Sequence, residues 1–111
     1  MYKRQVPARV DIREIYQLDA TDRRQLLDES CQLSEFLIEA YAGDKLNIAA
    51  LGNQVPQLHL HHIVRYASDA AWPAPIWGRQ AARGYSPSAI DEIRTLFGSA
   101  GLSGYVAAVD A

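Results

Sequence analysis

His59 and His61 are the residues of this chain whose type and spacing could do chemistry. All three histidines of the sequence fall in one stretch, Gln57-Leu58-His59-Leu60-His61-His62-Ile63-Val64-Arg65. An apolar run from Leu46 to Leu51 precedes it and ends in Gly52-Asn53. That pattern reads as a hairpin or a short strand pair around a turn. Strand side chains alternate between faces, so Gln57, His59 and His61 should point one way and Leu58, Leu60 and His62 the other. Two imidazoles would then stand side by side. A neutral imidazole is a nucleophile when one ring nitrogen keeps its lone pair and an acceptor holds the other. The plainer alternative is a wet, His-rich sheet face or a hydrogen-bonded pair, because clustered ionisable groups mark functional sites only statistically.

Several elements must position that stretch. Asp11 to Leu18 carries Ile12, Ile15 and Tyr16 at helical spacing, enough for about one and a half turns. Asp19-Ala20-Thr21-Asp22 supplies a helix N-cap, and the helix should run to Ala42 with Gly43 at its C′ position. Leu26, Leu33, Leu37 and Tyr41 share one face, which Leu27, Cys31 and Ile38 widen. Cys31 reads as packing and Phe36, on the polar side, as a surface residue. Lys45 to Leu51 is a strand, Gly52 to Pro56 a turn and Gln57 to Val64 the returning strand. Asp69 to Pro75 is a loop because Pro73 and Pro75 break a ladder. Trp72 and Trp77 read as packed anchors of that loop, Arg65 as a surface cation and His62 as packing or surface. Ser86-Pro87 starts a last helix reaching about Phe97, with Ile90, Ile93, Leu96 and Phe97 on one stripe. Gly98, Gly101 and Gly104 should stop it, leaving a loose tail over 99–111. Arg79 and Arg83 are assigned no function. One long helix before a few strands and one short helix after them make an α+β domain rather than βαβ units.

The totals bound the rest. A chain of 111 residues allows one domain, 1–111, with a modest core. A net charge of -2 gives no broad surface for nucleic acid or membrane. No apolar run approaches the ~18 residues needed to span a bilayer. No secretory signal is visible, and a lone cysteine suits a reducing, cytoplasmic setting.

The segment from Asn47 through Gly52-Asn53-Gln54-Val55 to Gln57-Leu58-His59-Leu60-His61-His62-Ile63 resembles the signature of the histidine triad (HIT) family. That signature is three histidines alternating with apolar residues, preceded by an Asn, a Gly-containing turn and a Val. The similarity is to the branch that resembles dinucleoside polyphosphate hydrolases, and it extends from about Val6 through the Trp72 to Gly78 loop. Gln57 stands where the first triad histidine would be, and His62 takes an apolar slot. Met1 to Gln5 reads as a non-native remnant, and Val6-Pro7-Ala8-Arg9 resembles the end of a family strand whose beginning is missing. The expectation is therefore an N-terminally truncated, HIT-like antiparallel sheet with one long helix and a C-terminal helix.

The resemblance implies a nucleotide phosphate hydrolase or nucleotidyl transferase acting on a dinucleoside polyphosphate or a nucleoside phosphoramidate. His59 would be the nucleophile, passing through a covalent nucleotidyl-histidine, and His61 would assist the leaving group. Turnover should fall in acid, since a protonated His59 cannot attack. Asn47, Asn53, Gln54 and Gln57 would contact the substrate. No metal and no cofactor is implied, and the family's homodimer would form if the missing strands do not prevent it. Two other classes compete. A metal site would use His59 and His61 as ligands, but no carboxylate follows until Asp69. A non-catalytic nucleotide-binding module, or an inactive truncated HIT domain, would bind without turnover.

Overall fold

The computed structural model describes residues 2–78 and 85–102. The sequence readings at Arg79, Arg83, Gly104 and the rest of the 103–111 tail lie outside the described residues. In chain order the elements are strand β1 (Tyr2–Gln5), a 3-10 turn (Ile15–Gln17), helix α1 (Ala20–Ala40), strands β2 (Lys45–Ala49) and β3 (Leu60–Arg65), and helix α2 (Pro87–Ser99). The α+β fold is as expected from the sequence. The three strands form one antiparallel sheet in the order β1-β3-β2. The histidine strand is therefore central, and every residue of β3 is buried.

Alternation along β3 divides its side chains between two environments. Leu60, His62 and Val64 face α1. The buried stripe of α1 is Leu26, Ser30, Leu33 and Leu37, spaced to lie on one side of a helix. Leu26 packs with Leu18, Leu58 and Leu60, while Leu33 and Leu37 pack with Val64. His61, Ile63 and Arg65 face the other way, beneath the loop that follows β3.

The structure revises several sequence readings. Tyr2–Gln5 has a structural place whatever its origin: it forms β1 and pairs with β3. Gln5 is buried, and its Nε2 donates to the Leu26 carbonyl at 3.5 Å and to Glu29 at 3.4 Å. β3 begins at Leu60 rather than Gln57. Pro56 has no N–H to give a ladder, and the Leu58 N–H donates to the Ile12 carbonyl at 2.8 Å, away from β2. Within Asp11 to Leu18 only Ile15–Gln17 is helical, and Ile15 and Tyr16 are exposed. Leu27 and Cys31 are also exposed, because α1 meets the sheet along a narrow stripe that neither residue joins. Phe36 is not simply surface: its ring meets Phe97 of α2 edge-on at 4.8 Å.

The end of α1 shows why two adjacent small residues follow it. Asp19 caps the start, accepting from the Asp22 N–H at 2.7 Å. At the other end the Gly43 N–H donates to Ile38 and the Ala42 N–H to Glu39, the paired bonds of a Schellman ending. The left-handed residue is Ala42 (φ 47), not Gly43. Gly43 is needed for closeness instead, since a Cβ there would strike Val64 Cγ1. α2 starts as read, with Ser86 capping Ala89, and runs through Gly98 to Ser99 before Gly101 (φ 70) turns it off.

Candidate active site

His59 sits one residue ahead of β3, in backbone that is no longer paired to β2. Its Nδ1 lies 2.7 Å from the carbonyl oxygen of Gln57. A carbonyl can only accept, so the proton is on Nδ1 and the lone pair is on Nε2. His61, the second residue of β3, stands beside it with ring centroids 4.8 Å apart and planes at 59°. The expected pairing of the two rings on one side of the chain is thus present.

His59 lines a small hollow with Arg13, Glu14, Leu51 and Gly52. His61 is 5% exposed. Its pKa is held below the ordinary imidazole value, first by burial, then by the neighbouring His59, Arg4 and His62. Arg4 is its register partner across β1, and Ala49 its partner across β2. Trp77, from the loop after β3, meets the His61 ring edge-to-face at 6.0 Å and 81°.

On the opposite face His62 is fully buried, and its Nε2 lies 2.7 Å from Ser30 Oγ of α1. Burial lowers its pKa, opposed by a hydrogen bond with the Leu60 backbone. The histidine in the apolar slot is therefore a packed one that ties the site strand to α1.

The other sequence-predicted contacts fall elsewhere. Gln57 contributes its carbonyl to His59, while its side chain turns away and its Nε2 donates to the Arg9 carbonyl at 3.1 Å. Asn47, the middle residue of β2 and the register partner of Ile63, is engaged elsewhere: its Oδ1 accepts from Arg65 Nη1 at 2.8 Å. Asn53 and Gln54 are exposed on the turn and do not line the hollow. Arg65 is not the surface cation expected. It is 2% exposed and ion-paired with Asp69 at 2.8 Å, which drives the Asp69 pKa down to about 2. The signal was present in the sequence: Arg65 shares the face of His61 by alternation, and an acid follows at Asp69.

Among the described residues no group of three His, Cys, Asp or Glu side chains could hold a metal ion. None of the helices described is long and apolar enough to cross a membrane.

Comparison with known proteins agrees with this geometry. Residues 5–68 match the HIT domain profile. A histidine triad protein from Marinobacter aquaeolei VT8 superposes with a TM-score of 0.83 at 48% identity, over 86% of this chain and 70% of that one. One from Bradyrhizobium japonicum gives 0.81 at 42% identity, over 86% and 71%. One from Sinorhizobium meliloti 1021 gives 0.77 at 38% identity, over 85% and 67%. No match was found among curated proteins. The profile spans more than half of the chain and the structural relatives share its sheet, helices and sequence, so this chain belongs to the histidine triad family.

Proposed function

We propose that this protein is a nucleotidyl hydrolase or transferase whose substrate is a dinucleoside polyphosphate or a nucleoside phosphoramidate. The observation that carries the reading is the orientation of His59: Nδ1–H donates to the Gln57 carbonyl, and Nε2 keeps a lone pair.

In the first step Nε2 attacks the α-phosphorus. A P–N bond forms to His59, and the P–O or P–N bond to the leaving group breaks. A phosphate leaving group departs past His61 as its anion, and an amine leaving group carries away a proton taken from solvent. In the second step water, or another acceptor hydroxyl, attacks the same phosphorus and releases its proton to solvent. The P–N bond to His59 breaks, the nucleotide leaves, and the lone pair returns to Nε2. Two displacements of moderate difficulty replace one hard one. The protein's part is positioning and charge stabilisation, which is most of what phosphoryl transfer asks of its catalyst. Burial, then the neighbouring His59, disfavours a positive charge on the His61 ring.

The test compares wild type with His59→Ala and His61→Ala on diadenosine polyphosphates and on adenosine phosphoramidate. Hydrolysis of either class by wild type, with loss in His59→Ala of the ~10³-fold or more expected for a nucleophile, supports the reading. Nucleotide binding without turnover in wild type would replace it with the non-catalytic reading.

A further inference from the structure

Arg65 closes the histidine strand, and its buried side chain donates to three different residues. Its Nε and Nη2 hold the two carboxylate oxygens of Asp69 at 2.8 and 2.9 Å. Nη2 also donates to the Ala74 carbonyl at 2.8 Å, and Nη1 donates to Asn47 Oδ1 at 2.8 Å. The Trp72 ring lies 5.7 Å from the guanidinium carbon. A planar fork that grips a carboxylate with two bonds fixes direction as well as distance. The partners come from two places: Asn47 is on β2, whereas Asp69, Trp72 and Ala74 belong to the loop after β3. Arg65 therefore fastens that loop to the sheet at three of its residues.

The same loop carries Trp77 to His61. The indole has no polar hold of its own, because its buried Nε1 finds no hydrogen-bond partner. Its place against His61 depends on the loop, and the course of the loop depends on Arg65.

We propose that Arg65 is a positioning residue for the transfer reaction: by pinning Asp69 and Ala74 it seats Trp77 against His61 and closes the leaving-group side of the site to water. The inference rests on the nucleotidyl-transfer reading for its kinetic consequence, but not for its structural one. Burial is the main cause of the lowered His61 pKa, and Trp77 supplies part of that cover. The titratable groups that act on His61 are His59 beside it, Arg4 on β1 and, from the opposite face of the strand, His62, whereas β2 presents only Ala49.

The experiment follows the His61 ring by NMR across pH, and kcat, in wild type, Trp77→Ala, Arg65→Lys and the double variant. Lysine keeps the charge but loses the two-pronged grip. Trp77→Ala should raise the His61 midpoint toward the ordinary value of about 6.5. Arg65→Lys should raise it too and lower kcat by about tenfold to a hundredfold, the scale of a misplaced catalytic group. The double variant should match Trp77→Ala alone, because Arg65 acts through Trp77. The proposal is overturned if Arg65→Lys lowers only thermal stability and leaves the midpoint and kcat unmoved. It is equally overturned if the two effects multiply. Should Arg65→Lys fail to fold, Asp69→Asn weakens the same grip and carries the same expectations. The NMR titration needs no substrate, so absence of turnover in wild type would remove the functional reading while the midpoints still decide the clamp.

Discussion

The Nδ1 of His59 is 2.7 Å from the carbonyl oxygen of Gln57, and the Gln57 side chain is turned elsewhere, toward Arg9. The group that orients the His59 ring is thus part of the main chain. Any residue at position 57 that keeps this backbone path supplies it. Restoring the family's histidine with Gln57→His is therefore expected to change kcat/KM by less than about tenfold, or 1.4 kcal/mol of barrier. Steady-state kinetics on a diadenosine polyphosphate checks this. A gain of a hundredfold or more would mean that the glutamine cripples the site.

His61 and His62 stand on opposite faces of β3, and burial lowers the pKa of both. The sign follows from linkage. Below the ordinary imidazole value the unfolded chain binds protons that the folded chain refuses, so acid favours unfolding. The stability these rings contribute is complete above pH ~6.5 and declines as pH falls toward their lower folded values. Thermal melts between neutral pH and pH 5 should show the decline. The His62→Leu, Ser30→Ala double variant should show a shallower one, with His61 left to supply it. Ser30→Ala alone strands His62 Nε2 and should cost about 1–3 kcal/mol, more than the double, in which both polar partners are gone. A melt that ignores pH would show that neither ring is held neutral by the fold.

Gly43 joins the end of α1 to the site strand. A Cβ at this position meets Val64 Cγ1 and crowds Ile38. Gly43→Ala is expected to cost about 1–3 kcal/mol through overpacking. The cost should shrink in a Val64→Ala background, where the obstructing methyl is absent. Denaturant melts of the four proteins in that cycle test the pairing. Equal costs in both backgrounds would place the strain somewhere other than Val64.

Much of the architecture could be read from residue order because it depends on local pattern. The Asp19 cap and the Leu26, Leu33, Leu37 stripe fix α1, and Ser86-Pro87 fixes the start of α2. The shared side of His59 and His61 followed from alternation, even though His59 lies just outside the strand. What pattern could not supply is pairing across the fold. Lys3, Arg4 and Gln5, read within a remnant, carry no strand pattern until β3 is seen to bond with them. Arg65 reads as a surface cation until Asp69, Asn47 and the Ala74 carbonyl converge on it. Asn47 matches its motif by spacing, yet its side-chain oxygen is engaged with Arg65 rather than open toward His59. Phe36 lacks a partner until α2 brings Phe97 to it. Apart from Asp69 and Ala74, which follow Arg65 closely, the deciding neighbours are distant in sequence, and a polar side chain changes meaning when it is buried and paired.

Trapping of the protein–nucleotide adduct tests the central chemistry most directly. A diadenosine polyphosphate labelled at the α-phosphorus is mixed with excess enzyme, quenched within a single turnover, digested and analysed by mass spectrometry under conditions that preserve P–N bonds. The account predicts an adenylylated peptide carrying the mass on His59, absent from His59→Ala and prolonged when the second step is slowed. Wild-type turnover with no labelled protein at any quench time, or unimpaired turnover by His59→Ala, would contradict it.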